Sequence, residues 1–157
     1  MPDFRLTLLL AAPALLLPLT ATAQAQASLC TKDEVTEWSC TAGRKVYSLC
    51  ASRDLGPTSG TLQYRAGKKG SKPEFAYPDP ATHPKGHFVL NIVSRGATLS
   101  FSNKGYTYDV YEPLTGQTVI DVSKGPTPLG SITCGAATET LTLTVVQNRY
   151  KALGVFQ

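Results

Sequence analysis

Between residues 64 and 87 cations interleave with flat rings. Arg65, Lys68, Lys69, Lys72 and Lys85 fall in or beside one segment, with Tyr64, Phe75 and Tyr77 among them. Basic side chains beside aromatic rings suit an anionic partner. The same lysines would also serve as a plain solubilising loop. His83, His87 and Asp79 in this segment offer three metal ligands, but Pro84 prevents the helix that would put both imidazoles on one face. Two solvated loop histidines are the simpler reading, and no metal or other cofactor is expected. Glu74, Asp79, Asp109, Glu112 and Asp121 are scattered over strands and turns rather than paired for acid–base work.

Nucleophilic chemistry finds no support. The chain has no G-x-S-x-G elbow. Gly67-Lys68-Lys69-Gly70 lacks the Lys-Ser/Thr and the helix of a phosphate loop. All four cysteines, Cys30, Cys40, Cys50 and Cys134, are expected in disulfides, so no thiolate is left. The chain therefore reads as a binding protein, not an enzyme.

The elements that must position these residues follow a leader. Arg5 precedes the apolar run Leu6–Leu19, and Ala21-Thr22-Ala23, Ala23-Gln24-Ala25 and Ala25-Gln26-Ala27 offer small-residue cleavage sites. Residues 1–27 thus read as a secretory signal peptide, with no transmembrane segment after its removal. Residues 28–157 form one secreted or periplasmic domain of about 130 residues. Cleavage removes Arg5 and Asp3 together and leaves the net charge at +4. That balance favours acidic partners but is too weak to argue for nucleic acid.

Ala97–Glu112 organises the domain. Leu99 and Phe101 alternate with polar residues, and so do Tyr106, Tyr108 and Val110. An even loop, Lys104-Gly105 or Ser102–Gly105, puts both apolar sets on one face; an odd loop would oppose them to Asp109. Gly105 then supplies positive φ at the end of the turn. Tyr106 and Tyr108 are expected in the core, and Tyr111 outside as a contact.

Further strands are expected over Thr36–Thr41, Lys45–Ser52, Gly60–Ala66, Phe88–Ser94, Gln117–Ser123, Leu129–Cys134 and Thr140–Val146. Pro73–Tyr77 is a short candidate, while Pro78, Pro80 and Pro84 mark Gly67–His87 as the longest irregular segment. Thr31 and Glu34 fit a capping box. Turn signals at this spacing predict an all-β fold, a small antiparallel barrel or sandwich of about 8–10 short strands. The barrel is preferred because closure removes exposed edges. Cys40 and Cys50 flank a hairpin out of register, which excludes their pairing. Cys30–Cys50 with Cys40–Cys134 is preferred over Cys30–Cys40 with Cys50–Cys134, and either ties the last third of the chain to its start.

Ser59-Gly60-Thr61-Leu62-Gln63-Tyr64, the later Tyr-rich strand and a nearby lysine resemble the periplasmic inhibitors of c-type lysozyme, which are exported, disulfide-tied, eight-stranded barrels. In that family Ser-Gly is followed two residues later by Tyr; here three residues intervene. The resemblance implies a lysozyme as protein partner, with Ser59 and either Lys104 or Lys68 entering its cleft. The run from Glu37 to Gly67 also resembles small secreted proteobacterial proteins, which bring no activity with them. The expected contact residues are Ser59, Gly60, Tyr64, Lys68, Lys69, Lys72, Lys104 and Tyr111. The alternative partner is an anionic glycan or lipid of the envelope, held by the basic loop.

Overall fold

The computed structural model describes residues 27–135 and 142–156. The expected leader lies outside the described residues, apart from Ala27. Two antiparallel sheets follow. The first has the order β1 (Glu34–Ala42), β2 (Lys45–Ser52), β3 (Leu62–Lys68), β4 (Phe75–Thr82). The second has the order β5 (Val89–Val93), β6 (Gly96–Asn103), β7 (Tyr106–Pro113), β8 (Val119–Lys124), β9 (Thr127–Thr133). A C-terminal helix, α1 (Thr142–Ala152), packs against β1, β5 and β6. No helix among the described residues is long and apolar enough to cross a membrane.

The register of β6 and β7 obeys the apolar pattern. Asn103 faces Tyr106 across the two-residue turn Lys104-Gly105, so Leu99 meets Val110 and Phe101 meets Tyr108. Leu49, Leu62 and Tyr64 of the first sheet share one core with Leu99, Phe101, Val110 and Ile120 of the second. Aromatic rings join the sheets: Phe101 lies 4.9 Å from Tyr64 and stacks at 4.8 Å on Tyr77, while Phe75 stacks at 5.3 Å on Tyr108. Each such pair adds about 1 kcal/mol beyond simple burial.

Both disulfides follow the preferred pairing, Cys30–Cys50 and Cys40–Cys134. Cys40 faces Tyr47 and Cys50 faces Thr36, out of register with each other. The closed barrel does not form. The Cys40–Cys134 bridge does tie the first strand to the end of the last, and the Gly135 N–H donates to the Thr41 carbonyl at 2.6 Å, but among the described residues no ladder joins β1 to β9. At the other seam β4 is an edge strand carrying Pro78 and Pro80. Proline offers no N–H to a further strand, so the first sheet ends at β4. The same fact explains why Gly67–His87 is less irregular than expected: an edge strand tolerates the prolines that a central one would reject.

The strand expected over Thr140–Val146 is also replaced. Residues 140 and 141 lie outside the described ones, and from Thr142 the chain is helical. Leu143, Val146 and Tyr150 are buried at helical spacing, while Val145, on the same strand face as Leu143, is exposed. The helix ends on Gly154 at φ +70, with the Val155 N–H on the Tyr150 carbonyl and the Gly154 N–H on the Lys151 carbonyl. The Gln147 amide donates to the Leu90 carbonyl and occupies part of the β5 edge.

Candidate functional site

Strand polarity brings four connections to one end of the molecule. In the first sheet Lys45 pairs with Lys68, and the Lys69 N–H donates to the Arg44 carbonyl at 3.3 Å. The turn after β1 therefore sits beside the loop after β3. In the second sheet Tyr106 pairs with both Asn103 and Lys124, so the turns after β6 and β8 are neighbours. A groove lined by Glu74 and Phe75 on one side and Asn103, Lys104 and Tyr106 on the other joins the two sheets at this end. Arg44, Lys45, Lys68, Lys69, Lys72, Lys104 and Lys124 gather here, close to half of the chain's 15 basic residues. All seven are exposed. Gly43, Arg44, Lys68, Lys69 and Ser71 line a recess of about 500 Å³. Glu74 answers Lys45 at 3.1 Å, and this pair raises the Lys45 pKa through its hydrogen bond and charge.

Arg65 does not belong to this surface. Its guanidinium grips both carboxylate oxygens of Glu34, at 2.6 and 2.7 Å, and donates to the Leu29 carbonyl and Gln63. Burial alone would push the Glu34 carboxyl up. The Arg65 fork and the Thr31 N–H outweigh it and hold the group below its ordinary value. The capping-box pair is thus made as a turn whose carboxylate also anchors β3. Arg65→Ala should cost about 2 kcal/mol in a urea melt by leaving Glu34 without its partner. It should leave binding to anionic matrices unchanged; loss of that binding in a folded variant would return Arg65 to the surface cluster.

The other expected contacts divide. Tyr64 is core: it is 2% exposed, packed on Phe101 and Phe75, and burial pushes its phenol pKa far up. Its place on the same strand face as Leu62 dictates this, because that face covers the core. Ser59 and Gly60 lie at the far end of β3, on the order of 20 Å from Lys68 at the rise of an extended strand. Ser59 is exposed, and its hydroxyl donates to the Asp54 carbonyl at 2.9 Å. Gly60 has φ +78, and an added Cβ would meet the Leu55 backbone at 2.5 Å, so the glycine shapes the loop. Tyr111 also lies away from the lysines, its hydroxyl donating to the Arg95 carbonyl at 3.0 Å. Only Lys68, Lys69, Lys72 and Lys104 of the expected contacts share one end.

Tyr106 departs from the expected core. It shares a face with Tyr108 and Val110 but is half-buried at the groove, with the Lys124 ammonium 5.3 Å from its ring centre. Tyr108 is partly buried against the core and stacks on Phe101. The groove encloses about 660 Å³. His87 and Asp79 line it, but His83 does not: its Nδ1 accepts from the Lys85 N–H, so its Nε2 donates to the Gly56 carbonyl at 3.0 Å. His87 instead meets the Tyr77 hydroxyl at 3.4 Å. The two imidazoles serve different partners.

No family model, curated protein or solved structure matches the chain.

The arrangement offers a cationic end and an aromatic groove beside it. Residue type alone picked out the loop lysines. Arg44 and Lys124 were missed because their neighbours at this end are distant in sequence; the signal was there in the turns they flank, Gly43-Arg44 and Gly125-Pro126. Two disulfides and the lack of a membrane-crossing helix among the described residues are consistent with an extracytoplasmic protein.

Proposed function

We propose that this is an exported, non-catalytic binding protein whose basic end docks on an anionic glycan or lipid headgroup of the cell envelope. The observation that carries the reading is the gathering of Arg44, Lys68, Lys69, Lys72, Lys104 and Lys124 on neighbouring turns, with Glu74 already paired to Lys45. The opposite end carries both signs, Lys32 beside Asp33 and Arg53 beside Asp54. The charge is therefore polarised, although the net value is only +4. The leader-like segment and the disulfides support a periplasmic or secreted location.

Each cation near an anionic surface contributes about 1 kcal/mol. Replacing Lys68, Lys69 and Lys72 by alanine should then weaken binding to dextran sulfate, or to vesicles containing phosphatidylglycerol, about 100-fold. Wild-type binding should fall steeply as added salt shortens the Debye length from about 30 to about 10 Å. Retention that ignores both the substitutions and the salt would sink the proposal. The matrix and the vesicles separate the two sources of anion.

A lysozyme partner would use a different surface. Ser59 is exposed on a loop braced by Gly60 and by the Gly56 N–H on the Ser59 carbonyl at 3.1 Å. Inhibition of a c-type lysozyme that is lost in Ser59→Ala but kept in the triple lysine variant would favour that reading over the basic end.

A further inference from the structure

We infer that the groove between β4 and the β6–β7 turn seats one uronic acid ring of an anionic polysaccharide, with the ring carboxylate toward Lys104 and ring hydroxyls toward Asp79. The inference rests on the anionic-partner reading above and narrows it to a glycan. Three observations carry it.

The first is shape. About 660 Å³ lies within the range of small-ligand pockets. The groove stands at the basic end, the end that also carries the recess beside Lys68 and Lys69.

The second is the aromatic wall. Tyr77, Tyr106 and Tyr108 are all half-buried, and each lines the groove. Tyr108 already stacks on Phe75 and Phe101, and Tyr77 on Phe101, so Tyr106 is the ring that offers an apolar face to the C–H face of a pyranose. Tyr106 is the telling one. Its strand face is the core face, yet it is not among the core residues, and Lys124 lies over its ring.

The third is charge. Lys104 and Asp79 both line the groove, and neither has an ion-pair partner among the described residues. Glu74 is held by Lys45. A ligand bearing one carboxylate and several hydroxyls answers both groups. A neutral sugar leaves the lysine unanswered, and an inorganic polyphosphate chain, anionic like a uronate, carries no hydroxyl for Asp79. Lys104 also sits at φ +52, a conformation that favours glycine or asparagine. A lysine at that position lines the groove at a cost in backbone strain.

The test is titration of the full disulfide-bonded chain with tri-galacturonate. Inorganic polyphosphate, oligothymidylate and maltotriose serve as the comparison ligands. Tri-galacturonate should bind. Tyr106→Ala should weaken it about ten-fold, and Asp79→Asn should weaken it several-fold. Tyr106→Ala should leave polyphosphate binding unchanged, Asp79→Asn should not weaken it, and the triple lysine variant should weaken both polyanions. Tyr106 lies outside the core, and an unchanged melting temperature would verify the fold; Asp79→Asn alters an exposed side chain and keeps the test decisive if Tyr106→Ala unfolds. Wild-type protein that binds polyphosphate but not tri-galacturonate, or groove variants that bind tri-galacturonate as wild type does, would overturn the sugar site and leave the basic end standing. Failure to bind either polyanion would remove both readings together. Oligothymidylate bound as tightly as tri-galacturonate, and lost in Tyr106→Ala, would make the groove a base-stacking site instead. Maltotriose bound as tightly as tri-galacturonate would overturn the role given to Lys104.

Discussion

Replacing Cys40 and Cys134 together by serine should remove about 4–5 kcal/mol of stability, against about 3 kcal/mol for Cys30 and Cys50. The difference comes from the loop that each bridge closes in the unfolded chain. Cys40 and Cys134 are separated by 94 residues, Cys30 and Cys50 by 20. The longer closure removes more entropy from the unfolded ensemble. The native state adds a reason of its own. Cys134 follows β9 at the edge of the second sheet, and Cys40 lies in β1 at the edge of the first. Cutting this bridge frees the two edges from each other, whereas the Cys30–Cys50 bridge only fixes the chain entering β1. A domain of this size is held by about 5–15 kcal/mol, so the larger loss takes a substantial share of the total. Trp38, the only tryptophan, is fully buried two residues from Cys40 and reports the unfolding directly. Urea midpoints from its fluorescence would give the comparison. A Cys30/Cys50 variant as unstable as the Cys40/Cys134 variant, or more so, would contradict the loop argument.

The hairpin between β6 and β7 was legible because two local signals agreed. Alternation placed Leu99, Phe101, Tyr108 and Val110 on one face, and only an even loop kept them there. Register also removed one of the three cysteine pairings, since it separated Cys40 from Cys50, but it left the other two open. The C-terminal helix was not. Thr140–Val146 alternates as a strand does, and its residues are β-branched or leucine. What overrides that preference is tertiary. Leu143, Val146 and Tyr150 fill a space that the two sheets leave open, and only a helix brings all three to it. Gly154 after Arg149 and Lys151 was the one sequence cue that a helix ends there.

The candidate site was half legible. The lysines were visible as residue types, but their neighbours were not, because Arg44, Lys68, Lys104 and Lys124 meet only through the strand order of two sheets. Arg65 shows the reverse. Its position among lysines suggested a surface role, whereas its place on β3 puts its fork within reach of Glu34. Tyr64 and Tyr106 exchanged roles through the same property. Strand parity assigns a face, but how far along the sheet a residue lies decides whether that face is covered. Tyr64 sits mid-strand under Phe101; Tyr106 sits at the hairpin end, where the core has run out.

Parity also sends Glu112 inward, beyond Val110 on the same face of β7, and the second large effect follows from it. The residue is wholly buried. One carboxyl oxygen accepts the Leu143 N–H at 2.9 Å at the start of α1, and the Trp38 side chain lies beside the group. Burial raises its pKa from an ordinary 4.5 to about 7, although Leu143 and Trp38 pull in the opposite direction. The folded protein therefore holds this proton where the unfolded chain releases it. Between about pH 4.5 and 7 the native state binds more protons, so stability falls as pH rises; the contribution of protonated Glu112 is complete below about 4.5 and gone above about 7. Glu112→Gln keeps an acceptor for Leu143 and removes the titration. Relative to wild type, the variant should gain roughly 2–3 kcal/mol between pH 5 and pH 8. Urea midpoints of the two proteins at both pH values measure it. A gap that stays constant across that range would mean that Glu112 does not titrate there. A variant that loses ground as pH rises would mean that the ionised carboxylate, not the acid, holds the start of the helix.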